Sequence, residues 1–431
     1  MIKKLKVPKG ILSLSFSGII SKILNLIAIT IAIRIGGNVF FQKFIILQSV
    51  MALITVIASY SINLTVTRYT SNLLNENKNQ LDELIRKILI TVIIIGLVLV
   101  LCLFIIGPYL AIQIYHDHKL VFLLRLSGLV LFSILLWEFF ISIYYGAKKY
   151  NKVGNLLIIK AFLTTIFTIY GSFTQNLVFI LSSYIVINIS MSLIAYINQK
   201  QKLGLFDFYS KNKYQSIKLF SVLGNYSLPA FLVVALESFV FWYLLIMLND
   251  SIDASLNVVA FGVFEKWMGI IVFIPRIISK ISFVEISGMK LGDLKHFKKV
   301  FFKGMYYNLF GIIAISLFLI FTRKYILELN NLDTSIGWSF IIFIIVGSLQ
   351  ALNNYIIQTY NAVGKLWDRL LYTLFWALMF YLFYSYLSEN NTLLLVGYSL
   401  IGSYFVVIVF QLPKLLSGNI ILNKINNQKN N

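Results

Sequence analysis

The chain has a single cysteine in 431 residues, Cys102, inside an apolar run. An internal disulfide and a cysteine-built metal site are therefore both excluded. Histidine is almost as scarce, with three residues, two of them in "YHDHK" at 115–119. His116, Asp117 and His118 are adjacent in the chain rather than spaced for ligation, so they read as a solvated loop and no metal site is expected. Acidic residues number 16 against 37 lysines and arginines, and the loops are short. An enzyme acting on lipid-linked sugars would need acidic or histidine clusters in sizeable loops. No GxxxxGK[ST], HExxH or GxSxG pattern occurs, which argues against ATP-driven transport by this chain alone and against hydrolase chemistry. The expectation is a protein that is not an enzyme and has no cofactor.

Charge of either sign is also sparse, at 12% of residues, while 59% are hydrophobic and the mean hydropathy is +0.85. That is far from the balance of a soluble globular domain. Apolar runs of about 18 to 25 residues, long enough to cross a bilayer as helices, recur along the whole length. Twelve are expected, at 11–35, 39–66, 88–107, 120–144, 156–173, 176–197, 222–248, 258–284, 304–321, 336–360, 370–387 and 392–412. The fold class is therefore all-α and polytopic. The start, "MIKKLKVPKGILSLSFSG", has the basic flank of a signal peptide, but its apolar stretch is too long and no small-x-small cleavage site follows. It reads as an uncleaved first span.

A net charge of +21 could suggest nucleic acid, but placement decides otherwise. Lysine and arginine beside spans mark the cytoplasmic side, and alternate connections are basic. That side collects 26 of the 37 basic residues, including Lys3, Lys4, Lys6 and Lys9, the 146–152 loop, Lys200 to Lys218 and the C-terminal tail. Both termini are expected in the cytoplasm, with anionic lipid rather than nucleic acid as the neighbour.

The chain also echoes itself. "YYGAKKYNKVG" at 144–154 matches "TYNAVGKLWDR" at 359–369 at an offset of 215, laying Tyr145 on Tyr360. The first and seventh spans align at about 212, and "LDELIRK" meets "LKHFKK" at about 213. Two six-helix halves follow: a bundle over 1–198, a cytoplasmic linker at 199–221, a second bundle over 222–413 and a tail at 414–431. An even number of spans per half gives both the same orientation, related by an axis along the membrane normal.

Charges within spans cost about 2.5 to 3.5 kcal/mol each at mid-bilayer, so each needs a reason. Lys43, Arg125 and Lys160 lie near span ends, where long side chains can reach the headgroups. Lys22 is too deep for that, and Asn25 shares its helix face. Glu237 stands near the middle of the seventh span and overlies Asn25 at the 212 offset. In "VFEKWMGIIVFIPRIISKISFVE" at 263–285, Glu265 and Arg276 fall within about 20° of one another on a helix, Lys266 lies about 100° away, where a neighbouring helix could pair with it, and Pro275 should bend the segment. These groups persist if they face a wet cavity or each other. A net positive cleft favours an anionic passenger.

With twelve spans in two halves, "GAKKYNKVGN" after the fourth, "NAVGKLWDR" after the tenth, and "VVAFGVFEKWMGIIVFIPRIISKISFVEISG" at 258–288, the chain resembles the polysaccharide flippases of the MOP superfamily, the Wzx-type O-antigen and capsule repeat translocases related to MATE exporters. The resemblance implies a MATE-like fold in the bacterial inner membrane. It implies movement of an undecaprenyl-diphosphate-linked oligosaccharide to the outer leaflet by alternating access, and allows a polysaccharide polymerase and a chain-length regulator as partners. Carried onto this sequence, Lys22, Asn25, Lys266 and Arg276 would line the substrate cavity, and Glu237 or Glu265 would couple to an ion. A MATE-like exporter of small organic molecules and a non-transporting assembly subunit are the alternatives.

Overall fold

A computed structural model describes residues 9–206, 228–287, 294–363, 365–387 and 392–416. Among these, the regular structure is helical throughout. The first helix, α1 (Lys9–Glu76), is 68 residues long, about 100 Å at 1.5 Å per residue, more than three times the apolar thickness of a bilayer. It is two spans in one element. Gly37 breaks it with φ 76° and ψ 172°, a conformation open to glycine because it lacks a Cβ. The break falls between the expected first and second spans.

The following helices are α2 (Lys78–Tyr109), α3 (Leu120–Gly146), α4 (Tyr150–Phe173), α5 (Leu177–Leu203), α6 (Leu228–Asn249), α7 (Ala254–Ser287), α8 (Leu294–Leu329), α9 (Gly337–Val363), α10 (Leu366–Tyr386) and α11 (Thr392–Leu416). Among the described residues eleven helices are long and apolar enough to cross a membrane, and α1 is long enough to hold two of the twelve expected spans. Proline sits inside α2 (Pro108), α7 (Pro275) and α11 (Pro413). In α2 the lost amide is followed at once by a π-helical turn, Leu110–Ile114, as expected where a proline disturbs the ladder.

The chain divides into two compact units, residues 1–231 and 232–431. In the first, α3 packs on α1, α2 and α5, and α4 on α1 and α5. In the second, α9 packs on α7, α8 and α11, and α10 on α11. Lipid is as apolar as a protein core, so packed and bare faces are both hydrophobic. On α2, Leu81, Leu84, Ile85, Ile88 and Val92 are buried, whereas Ile94, Leu97, Leu101, Phe104 and Ile105 stand bare on the opposite stripe. Such a helix is stable only with lipid on one side.

The two units repeat one another at a register of 215 to 217 residues between the matched starts of α2 to α5 and of α8 to α11. Helices α2 and α8 begin at Lys78 and Leu294, and α4 and α10 at Tyr150 and Leu366; both pairs are 216 residues apart. Two hydrogen bonds recur at this spacing. The Tyr144 hydroxyl donates to Ala195 O (3.4 Å) and the Tyr360 hydroxyl to Gln411 O (3.2 Å). In the loops before α3 and α9, Asp117 Oδ1 accepts from Lys119 N and Asp333 Oδ1 from Ser335 N, each at 2.8 Å. The register corrects the sequence alignment by one residue, since Tyr144 rather than Tyr145 is the equivalent of Tyr360. It also lays Glu237 on Ser21, four residues before Asn25.

Candidate functional site

The second unit contains a polar cavity within its bundle. Glu237 from α6, Gln350, Asn353 and Asn354 from α9, Thr373 and Trp376 from α10, and Tyr404 and Gln411 from α11 line it. Its volume is about 20 Å³, room for about one water molecule. Asn353, Trp376 and Gln411 are 7%, 2% and 1% exposed, yet Asn353 Oδ1, Trp376 Nε1 and Gln411 Oε1 make no hydrogen bond within the protein. A buried polar atom without a partner costs about 1 to 3 kcal/mol. Three such atoms around one cavity mark a place built to meet something polar. Of the six residues singled out in the sequence, Glu237 is the one this cavity contains.

The others lie elsewhere. Lys22 and Asn25 are exposed on the first limb of α1, where Ser21 on the same helix donates to Ser17 O at 2.9 Å. Lys266 does not reach across to a neighbouring helix; it pairs with Glu265 beside it, Nζ to Oε2 at 3.4 Å, because adjacent side chains with flexible stems can close the 100° between them. The Glu265 side chain is 45% exposed, while Val272, about two turns further along the same helix face, is buried. Arg276 belongs to α7, but its side chain, like that of Lys280, lies outside the described residues.

The three cations expected to snorkel are each held by the protein. Lys43 reaches Asp117 in the loop after α2, Nζ to Oδ2 at 2.6 Å. The Arg125 guanidinium lies 4.4 Å over the Phe104 ring, and its Nε donates to Phe104 O at 3.3 Å. Lys160 is deeper than expected, since α4 starts at Tyr150, six residues before the apolar run; its ammonium lies 4.8 Å over the Trp137 ring. Beside Trp137 is Glu138, whose Oε2 accepts from Asn63 Nδ2 at 3.1 Å. Sequence reasoning passed over Glu138, although "LLWEFF" puts a carboxylate well inside a span and the cost of charge in lipid was signal enough.

Asp117 gives a testable pH dependence. Partial burial pushes its carboxyl up, but the Lys43 hydrogen bond, the Lys119 amide and the charges of both lysines outweigh it and hold the group below its ordinary value of 3.8. A carboxyl depressed on folding stabilises above its unfolded pKa and loses that contribution as pH falls through the folded value. Asp117→Asn should therefore cost up to about 1 kcal/mol at neutral pH, the scale of a partly exposed pair. In thermal melts of the detergent-solubilised protein, the gap to wild type should close once the pH is taken below the folded value of Asp117, and a gap that persists there would refute the assignment.

Solved structures share this architecture, three of them as follows. An inward-facing multidrug resistance MATE family transporter of the MOP superfamily matches with a TM-score of 0.74 and 12% identity over 93% of this chain and 96% of that one. The fold is the MATE fold. An outward-facing MATE transporter of the same superfamily matches at 0.70 and 13% identity over 95% and 96% of the two chains. A MOP superfamily transporter from Pyrococcus furiosus, described as having a binding pocket of reverse polarity that suggests a different function, matches at 0.70 and 14% identity over 95% and 96%. No family model matches the sequence, and no curated protein does. In the MATE fold as it occurs here, the polar cavity sits inside the second bundle, and the Glu138 and Lys160 centre sits inside the first.

Proposed function

We propose that the chain is a membrane transporter of the bacterial inner membrane that moves an undecaprenyl-diphosphate-linked oligosaccharide to the outer leaflet. The observation that carries this reading is Lys22, exposed about 20 Å along α1 from its start at Lys9. An exposed lysine at that depth is best accommodated by a wet path, and a wet path bearing lysine attracts phosphate. The balance of charge within the expected spans agrees: eight cations, Arg34 at the end of the first span among them, against Glu138, Glu237 and Glu265. The reverse-polarity pocket of the Pyrococcus furiosus neighbour is support from within the fold, since that reversal is described as suggesting a different function for it. Lys22, Asn25, Lys266 and Arg276 are the substrate-facing residues on this reading, with Glu237 or Glu265 coupling to an ion. The polymerase and chain-length regulator are its working partners.

A second reading, export of organic cations, draws on the cavity, where Glu237 is accompanied by Tyr372, Trp376 and Tyr404. A carboxylate with aromatic faces suits a cation. Complementation of a flippase-deficient bacterium separates the two. Wild type should restore surface polysaccharide, and Lys22→Ala, Arg276→Ala and Glu237→Gln should each lower it about ten-fold, the effect of about 1.4 kcal/mol, at unchanged membrane level. A wild type that restores no polysaccharide but confers resistance to cationic dyes would replace the first reading with the second.

A further inference from the structure

The 216-residue register lets each bundle be read against the other. Trp137 and Glu138 fall on Asn353 and Asn354, Lys160 on Trp376, and Asn188 on Tyr404. In the second bundle all four positions line the polar cavity. In the first, the equivalent place is built from an indole, a carboxylate and an ammonium. Lys160 sits ten residues into α4, about 15 Å from its start, beyond the reach of its own stem to the interface. Its ammonium lies over Trp137, the neighbour of Glu138, and its charge acts on Glu138.

Among the described residues, few groups act on Glu138. Asn63 on α1 contributes a neutral amide, and its other amide atom, Oδ1, is buried without a hydrogen bond. Lys160 on α4 is the cation that acts on Glu138, and Tyr145 on α3 is the further titratable group in its field. From α5, Asn188 is neutral and donates to Ser133 Oγ at 3.2 Å. A carboxyl group within a membrane bundle that accepts one amide hydrogen bond is either protonated or balanced by a positive charge nearby.

We infer that Lys160 is a tethered counter-cation: it compensates Glu138 from within the chain and so closes the polar centre of the first bundle to dissolved cations, with Trp137 positioning the ammonium. The two centres, alike in place, then differ in kind. The first carries its own cation on a side chain, and the second, with Trp376 where the lysine would be, keeps an open cavity. This inference does not rest on the transport reading.

The test is chemical rescue in purified full-length protein. Lys160→Ala should lower the unfolding temperature, and propylammonium chloride, which supplies the missing stem and ammonium, should recover at least half of the loss. That recovery should be absent in wild type and in the Glu138→Gln/Lys160→Ala double variant, and the double variant should be more stable than Lys160→Ala alone. Stabilisation of every variant by propylammonium and sodium chloride alike, a bulk salt effect, would overturn the inference, as would a Lys160→Ala variant as stable as wild type. If Lys160→Ala yields no folded protein, the double variant still decides: its recovery in the membrane supports the tethered cation, and its absence refutes it.

Discussion

Gly146→Val is expected to remove most of the folded protein from the membrane. Gly146 ends α3 against α1, and a Cβ there would stand 2.5 Å from Thr70 Cβ and 2.6 Å from Thr67 O. The second of these atoms is backbone inside a helix and cannot swing aside, so the two helices would have to part. Small residues at membrane helix contacts permit such close approach, and overpacking a tight contact costs about 1 to 3 kcal/mol or more. Against a total stability of about 5 to 15 kcal/mol, that loss is large. Size-exclusion profiles and melting curves of detergent extracts check it; wild-type yield and melting in the valine variant would show that α1 and α3 do not meet as described. The equivalent residue in the second half, Ala362, already carries a methyl group and is buried, so Ala362→Gly should be mild by comparison.

On the transport reading proposed above, Asn353→Leu is expected to do the reverse, sparing the fold and damaging transport. The substitution keeps the branched four-atom skeleton, with methyl groups somewhat bulkier than the amide, and removes Asn353 Oδ1, a buried acceptor that makes no hydrogen bond within the protein. Loss of that desolvated group should leave stability unchanged or raise it by about 1 kcal/mol. Transport should fall about ten-fold, as for a lost interaction of about 1.4 kcal/mol, because the cavity would lose polar lining. A variant that fails to accumulate would show instead that the asparagine holds helices together. Measured side by side, surface polysaccharide and melting temperature distinguish the two roles.

The number and order of the spans could be read from hydropathy because a bilayer asks for one thing, about 20 apolar residues at a time. The division of α1 could be read too, since "GG" at 36 and 37 punctuates an otherwise continuous apolar helix. The depth of Lys160 could not. Hydropathy omits Tyr150, Asn151 and Lys152, yet these residues form the first turn of α4, so the helix starts earlier than the oil does. Which side of each helix is packed was equally hidden, because Leu97 toward lipid and Val92 toward protein are chemically alike. The repeat was visible, but its register slipped: residue likeness prefers Tyr145 over Tyr360, whereas the bond from Tyr144 to Ala195 O matches the one from Tyr360 to Gln411 O. The cavity around Glu237 draws on four helices spread over 175 residues of chain, from Glu237 to Gln411, and no local motif announces it.

The bonds shared at the 216-residue spacing have a practical consequence for anyone who wants to rework the protein. The tyrosine ties and the aspartate turns join backbone to side chain at the margins of each bundle and do not depend on what lines its middle. Each half can therefore act as the other's internal control. Exchanging residues between matched positions, such as lysine for tryptophan at 160 or asparagine for tryptophan at 137, would change the chemistry of one interior while its twin remains in the same molecule as the reference.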